Sequence, residues 1–314
     1  MNIEPGQTVT APPATDDPAS RADLPPAGWR LWWLAIRPRT LTMAVAPVLA
    51  GTALGWAEGG HFDPRPFLAA LGGALMIQAG ANLYNDVGDA LRGGDQPLRQ
   101  GPPRVTALGW ATPARVRVAA MACFGLACLF GLYLIALGGV PILLLGLASL
   151  AGGWCYSGGA RPISYGPYGE LFVIAFFGIG AVAGSAYLQT GTLLGSAVLV
   201  GLALGAVAAA VLMANNYRDM EPDRLIGRRT LAIQLGPRHS RFLYAAMVLA
   251  PFALLAGPTG PAGGWVTLAA LPLAIGLIHR FFTEPRGPAF NQILGLTARL
   301  QLVMAALLSL GVVF

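Results

Sequence analysis

The chain of 314 residues is 55% hydrophobic and only 11% charged, with a mean hydropathy of +0.61. Soluble domains carry about a quarter charged residues, so an ordinary soluble enzyme, a disordered regulator and a fibrous repeat are excluded, and a polytopic membrane protein remains. Twenty basic residues, all Arg, against fourteen acidic ones give a net charge of +6; with no basic soluble domain to hold nucleic acid, any cationic role falls to guanidinium, which grips phosphate as a rigid fork.

Residues 1–27 are rich in Pro, Ala, Thr and Asp, lack an apolar period and read as a disordered tail, followed by a single membrane domain over 28–314. Trp29, Arg30, Trp32 and Trp33 suit a short interfacial helix at the headgroup level. Apolar runs then follow at about 41–57, 67–83, 118–138, 140–156, 171–190, 193–214, 242–257, 264–283 and 293–314. Each is near the length of about 20 residues that a helix needs to cross a bilayer, so the expected fold is an all-α bundle of nine transmembrane helices.

Arginine placement tests that count. With nine alternating spans, eighteen of the twenty Arg fall on one side; Arg65 alone lies opposite and Arg21 sits in the tail. By the positive-inside rule the N-terminus is then cytoplasmic and the C-terminus outside. The long loops on the cytoplasmic side, about 84–117 and 215–241, and the shaped turn at 156–170 form a cap where function is expected. Cys123, Cys128 and Cys155 sit in or beside apolar runs and read as small buried hydrophobes, not as a disulfide or metal set.

The second run ends in Asn82, Asn85, Asp86 and Asp89, followed by Gly93-Gly94-Asp95. On a helix Asn82, Asp86 and Asp89 share a face. The sixth run ends the same way, with Asn215, Asp219 and Asp223 spaced i, i+4, i+8. One such stripe reads as a solvated, capped helix end. Two of them suggest a two-sided acidic site holding a hard divalent ion, for which Mg²⁺ suits carboxylate, amide and water donors. Arg99 and Arg104 follow the first stripe, and Arg218, Arg224, Arg228 and Arg229 surround the second. Acid clusters flanked by Arg suit a metal-bridged diphosphate. In the turn at 156–170, Tyr156 and Tyr165 read either as interfacial belt residues or as an aromatic pocket, Tyr168 as belt, and Glu170 as either a helix cap or a functional group.

These residues together resemble the UbiA superfamily of intramembrane aromatic prenyltransferases, over about residues 30–314. The first family signature stands as Asn82 through Asp95, the second as Asn215 through Ala232, and the tyrosine-glycine loop as Tyr156 through Glu170, with Ser157 where Thr is usual. The start of the domain stands as Arg37 through Val48, and Gly60–Pro64 and Tyr187–Gln189 look like the branch that acts on 1,4-dihydroxy-2-naphthoate. Arg39 and Arg228 replace the family's usual Lys.

The resemblance implies a bundle around a central cavity and a Mg²⁺-dependent transfer. A polyprenyl diphosphate ionises to an allylic cation, which joins the naphthoate ring where the carboxylate leaves as CO₂, giving a demethylmenaquinone. Asp86, Asp89, Asp219 and Asp223, supported by Asn82 and Asn215, are the expected metal set. Asn85, Arg104, Arg218 and Arg228 are expected on the diphosphate. Arg37, Arg39, Tyr156, Tyr165 and Asp95 are expected around the acceptor, with Arg37 and Arg39 alternatively on the diphosphate and Asp95 alternatively on metal. The active site would face the cytoplasm of a bacterial inner membrane. Alternative acceptors are 4-hydroxybenzoate and its like. A transporter is the rival class, but it predicts ionisable groups near the midplane, where the runs hold almost none.

Overall fold

The protein is described here by a computed structural model covering residues 26, 28–92, 101, 104–159, 162–258 and 260–314. The expected tail at 1–27 thus lies almost wholly outside the described residues, as do Gly93, Gly94, Asp95, Arg99 and Arg161. All longer elements among the described residues are helical. A short helix α1 (Trp29–Ala35) leads into α2 (Pro38–Gly59), α3 (Pro64–Leu91), α4 (Pro113–Ser157), α5 (Gly169–Thr190) and α6 (Gly195–Arg218). A single short turn of helix, α7 (Met220–Leu225), precedes α8 (Leu231–Ala256), α9 (Gly264–Thr283) and α10 (Phe290–Val313).

Local sequence sets these boundaries. Pro38, Pro64 and Pro113 open α2, α3 and α4, where a missing N–H costs nothing. Asp63 caps α3 by accepting from the Arg65 backbone N–H at 2.9 Å. Gly60, at φ 70°, ends α2 in the left-handed conformation that glycine adopts freely.

Among the described residues eight helices are long and apolar enough to cross a membrane. The expected runs 118–138 and 140–156 fall together in the 45-residue α4, which accounts for the difference from nine. A straight helix of that length would be roughly 68 Å long, about twice the hydrocarbon thickness. The backbone leaves helical space at Gly139 (φ 63°, ψ −147°), and Pro141 follows at once.

The core is built on α6. Ala197, Val200, Ala203, Leu204, Val207 and Ala210 are fully enclosed there, packed with residues of α2, α5, α8 and α10. Small side chains make that density possible. A Cβ on Gly178 in α5 would lie 2.3 Å from the Gly201 carbonyl oxygen of α6. In a bilayer, where lipid is as apolar as Leu, such close backbone approach is a main source of helix association. Gly178→Ala is therefore expected to destabilise the bundle by about 1–3 kcal/mol, checked by thermal unfolding in detergent; an unchanged Tm would refute this contact as a packing determinant.

By contrast, α4 is the outermost helix. Leu126, Leu129, Leu137, Val140 and Leu144 are all exposed along it, as a lipid-facing surface requires. This corrects the expectation for the cysteines. All three are free, but Cys128 and Cys155 are exposed on α4 and Cys123 is half-buried, because the apolar surroundings of this helix are lipid as much as protein. Asp63 and Gln189 clamp the two subfamily-like segments to each other. The Asp63 N–H donates to Gln189 Oε1 (3.0 Å), and Gln189 Nε2 donates to the Asp63 carbonyl (2.9 Å).

Candidate active site

The first acidic stripe lies wholly within α3, which continues past its apolar run to Leu91 and so keeps Asn82, Asp86 and Asp89 in helical register. All three are buried. The second stripe crosses a joint. Helix α6 stops at Arg218 and α7 starts at Met220, with Asp219 between them at φ −96°, ψ 15°. Hydrogen bonds from Asp219 N to the Asn215 carbonyl (3.1 Å) and from Asp223 N to the Asp219 carbonyl (2.9 Å) carry the i, i+4 spacing through that joint.

Arg228 joins the stripes. It donates to Asp89 Oδ1 on α3 at 2.5 Å and to Asp223 Oδ1 on α7 at 3.1 Å. Burial alone lowers its pKa, but the two carboxylates outweigh burial and hold the guanidinium above its ordinary value. Its planar face lies 4.6 Å from the Tyr165 ring centroid. Arg104, buried in the segment between α3 and α4, forms a further ion pair with Asp89. Arg218 pairs with Asp219 and also donates to Asn215 Oδ1 (2.8 Å) and Asn291 Oδ1 (2.6 Å).

Asp86 differs from the other three carboxylates. It is 2% exposed, it makes no ion pair among the described residues, and its side-chain partner is the Thr106 hydroxyl. A buried carboxylate without a cation is costly. This is the point where an oxygen-seeking cation fits the residues present. Among the described residues no three acidic groups converge as a preformed metal cage, since Asp89, Asp219 and Asp223 face arginine.

Arg104, Asn215, Asp219 and Arg228 border one cavity of about 560 Å³, while Asp86, Asp89, Asp223 and Arg218 are not in its lining. Its polar end is lined by Arg37, Asn82, Asn85, Arg104, Asn215, Asp219 and Arg228. Its long apolar part runs between α2, α3, α4 and α5, past Ala70, Leu134, Ile142 and Leu188. Tyr156, Phe172 and Phe176 form an aromatic wall, with ring centroids 5.5 Å and then 4.4 Å apart.

Arg37 lines the cavity in the left-handed conformation (φ 55°), the one non-glycine residue at positive φ among the described residues. Such strain concentrates at functional positions. Burial, reinforced by Arg104, pulls its pKa down to about 10 against the pull of Asp86 and Asp89, so it stays charged at neutral pH.

The remaining expected residues divide. Asn85 and Tyr156 line the cavity. Tyr165 lies under Arg228 and is not in the cavity lining, with its hydroxyl buried. Asn82 lines the cavity, but its Nδ2 donates to the Ile36 carbonyl (2.8 Å) and to Thr40 (3.0 Å), so it tethers the α1–α2 junction. Arg39 is exposed and is not in the cavity lining, where Arg37, just before the helix, is. Asp95 lies outside the described residues. Tyr168 is exposed, as a belt residue should be. Sequence reasoning missed Thr106, Asn216 and Asn291. The adjacent Asn215-Asn216 pair was the one available signal, since the other two lie far along the chain from their partners.

The chain matches the UbiA prenyltransferase family over residues 44–296. It is 36% identical to the 1,4-dihydroxy-2-naphthoate octaprenyltransferase of Escherichia coli (strain K12), covering 90% of this chain and 94% of the relative. It is 38% identical to the enzyme of the same name from Mycobacterium tuberculosis, covering 79% and 85%. In fold it is similar to a UbiA homolog from Archaeoglobus fulgidus bound to GPP and Mg²⁺, with a TM-score of 0.65, 16% identity, and coverage of 90% of this chain and 99% of that one.

Proposed function

The chain belongs to the UbiA prenyltransferase family, and from that premise we propose that it transfers a polyprenyl group from polyprenyl diphosphate to 1,4-dihydroxy-2-naphthoate. Diphosphate and CO₂ leave, and the hydroquinone form of a demethylmenaquinone, a demethylmenaquinol, is produced. One observation carries this reading: Arg37, Arg104, Arg228 and Asp219, from distant parts of the chain, meet at the polar end of one largely apolar cavity, and Arg104 and Arg228 tie in Asp89 and Asp223 from the two acidic stripes. The named relatives support the acceptor.

Asp86 and Asp219, with Asp89 and Asp223, would hold Mg²⁺, which when bound neutralises diphosphate charge as the C–O bond breaks. Arg104 and Arg228 stand where they can take up the rest of that charge. The apolar part of the cavity receives the hydrocarbon tail and keeps water from the allylic cation. The aromatic wall of Tyr156, Phe172 and Phe176 presents π faces to cation and acceptor alike. The new C–C bond forms at the ring carbon that carries the carboxylate, and CO₂ departs leaving its bonding pair in the ring. The break at Gly139 supports two crossings within α4, hence nine in all, with the N-terminus and the active site on the cytoplasmic side of a bacterial inner membrane.

The test uses purified enzyme, a polyprenyl diphosphate and candidate acceptors, with products identified by mass spectrometry. A prenylated, decarboxylated naphthoate product is expected, lost with EDTA and restored by excess Mg²⁺. Product with 4-hydroxybenzoate alone would overturn the acceptor, and activity indifferent to chelation would overturn the metal.

A further inference from the structure

Glu170 opens α5 and is 1% exposed. It forms no ion pair among the described residues. One oxygen, Oε1, accepts from Asn216 Nδ2 at 3.0 Å, and the other, Oε2, has no partner there. A buried carboxylate in this state is expensive for a fold to keep. As the acid in the first turn of α5 it also suits the helix N-terminus, but its side-chain partner lies 46 residues away.

Asn216 is the other half of the feature. It lines the same cavity as Asn215, Tyr156 and Phe172. Its bond to Glu170 is the one side-chain hydrogen bond it makes among the described residues. That bond orients the amide, nitrogen toward Glu170, and leaves the carbonyl oxygen for the cavity. An oriented acceptor thus belongs to the cavity that also holds the polar end and the aromatic wall.

Resting on the reaction proposed above, we infer that Asn216 Oδ1 accepts a hydrogen bond from a ring hydroxyl of the aromatic acceptor, and that Glu170 is the positioning residue that aims it. The hydroxyl, Asn216 and Glu170 form a chain in which each bond polarises the next. Electron density shifts from the hydroxyl into the ring, which must act as the nucleophile toward the allylic cation. The same chain selects hydroxylated aromatics, because a ring without the hydroxyl leaves the amide oxygen desolvated and unpaired.

The test pairs enzyme variants with acceptor analogues. KM and kcat are measured for 1,4-dihydroxy-2-naphthoate, and inhibition constants for its two monohydroxy analogues. In the wild type, loss of one of the two hydroxyls is expected to weaken binding at least ~10-fold. In Asn216→Ala that penalty is expected to vanish, while KM for the prenyl diphosphate stays within about twofold. Glu170→Leu is expected to raise the acceptor KM without moving the donor KM, and Glu170→Gln, whose carbonyl still accepts from Asn216, to recover most of the loss. A merely structural pair predicts equal damage to both substrates and an undiminished hydroxyl penalty in Asn216→Ala, and either result overturns the proposal. Wild-type enzyme that prenylates no aromatic acceptor overturns the underlying function as well; turnover without the coupling overturns this inference alone.

Discussion

Asp86→Asn is expected to lower kcat by at least ~10³-fold, a loss of about 4 kcal/mol of transition-state stabilisation, while leaving the protein as stable as the wild type. The two halves of that expectation have one cause. Asp86 is buried with no ion pair among the described residues, so its removal strands no cation among them. Asparagine fills the same volume and still accepts from Thr106. What it cannot do is supply a negative oxygen to a metal-bound diphosphate. The measurement is steady-state turnover beside thermal unfolding in detergent. Activity within tenfold of the wild type, or a large fall in Tm, would sink the assignment of Asp86 as the carboxylate reserved for metal.

The Asp-rich stripes were legible in the sequence because the helix imposes their geometry locally. Asn82, Asp86 and Asp89 lie on α3 however the bundle packs, and the stripe through Asp219 survives a helix joint because its hydrogen bonds do. Hydropathy likewise found each apolar run. It could not show that two runs share α4, since Gly138-Gly139-Val140-Pro141 reads as a turn between helices and as a break within one.

What the sequence hid were partnerships between segments. Arg104 and Arg228 could be placed near the acids, but their common partner, Asp89, depends on how the segment after α3 folds back. Glu170 read equally as a cap or as a functional group, and the choice needed Asn216 beside it. Arg39 looked equivalent to Arg37 by composition, and only the start of α2 at Pro38 separates their directions. The rule is physical. Contacts within a few residues are fixed by helix periodicity, whereas contacts across helices depend on packing that no single segment encodes.

Asp89 provides the opposite experiment to Asp86. It is buried between Arg104 and Arg228, so Asp89→Ala leaves two guanidinium groups with their shared counter-charge removed. Breaking a buried ion pair from one side typically costs about 3–5 kcal/mol, because a desolvated charge remains. Asp89→Ala is thus expected to lose both activity and several degrees of Tm, where Asp86→Asn loses activity alone. Combining Asp89→Ala with Arg104→Leu separates the causes. If the pair is energetically coupled, the double variant regains stability relative to the sum of the single ones, with a coupling of roughly 0.5–3 kcal/mol, while remaining inactive. Additive losses would mean that Arg104 and Asp89 are neighbours without being partners. Arg228→Lys sharpens the point: one ammonium cannot reproduce the fork that spans Asp89 and Asp223, so stability should fall between wild type and Arg228→Ala although charge is kept. The acidic stripes in this view hold two kinds of acid, one held in place by arginine before any metal arrives and one with no arginine among the described residues, and the contrast between Asp86 and Asp89 measures that division directly.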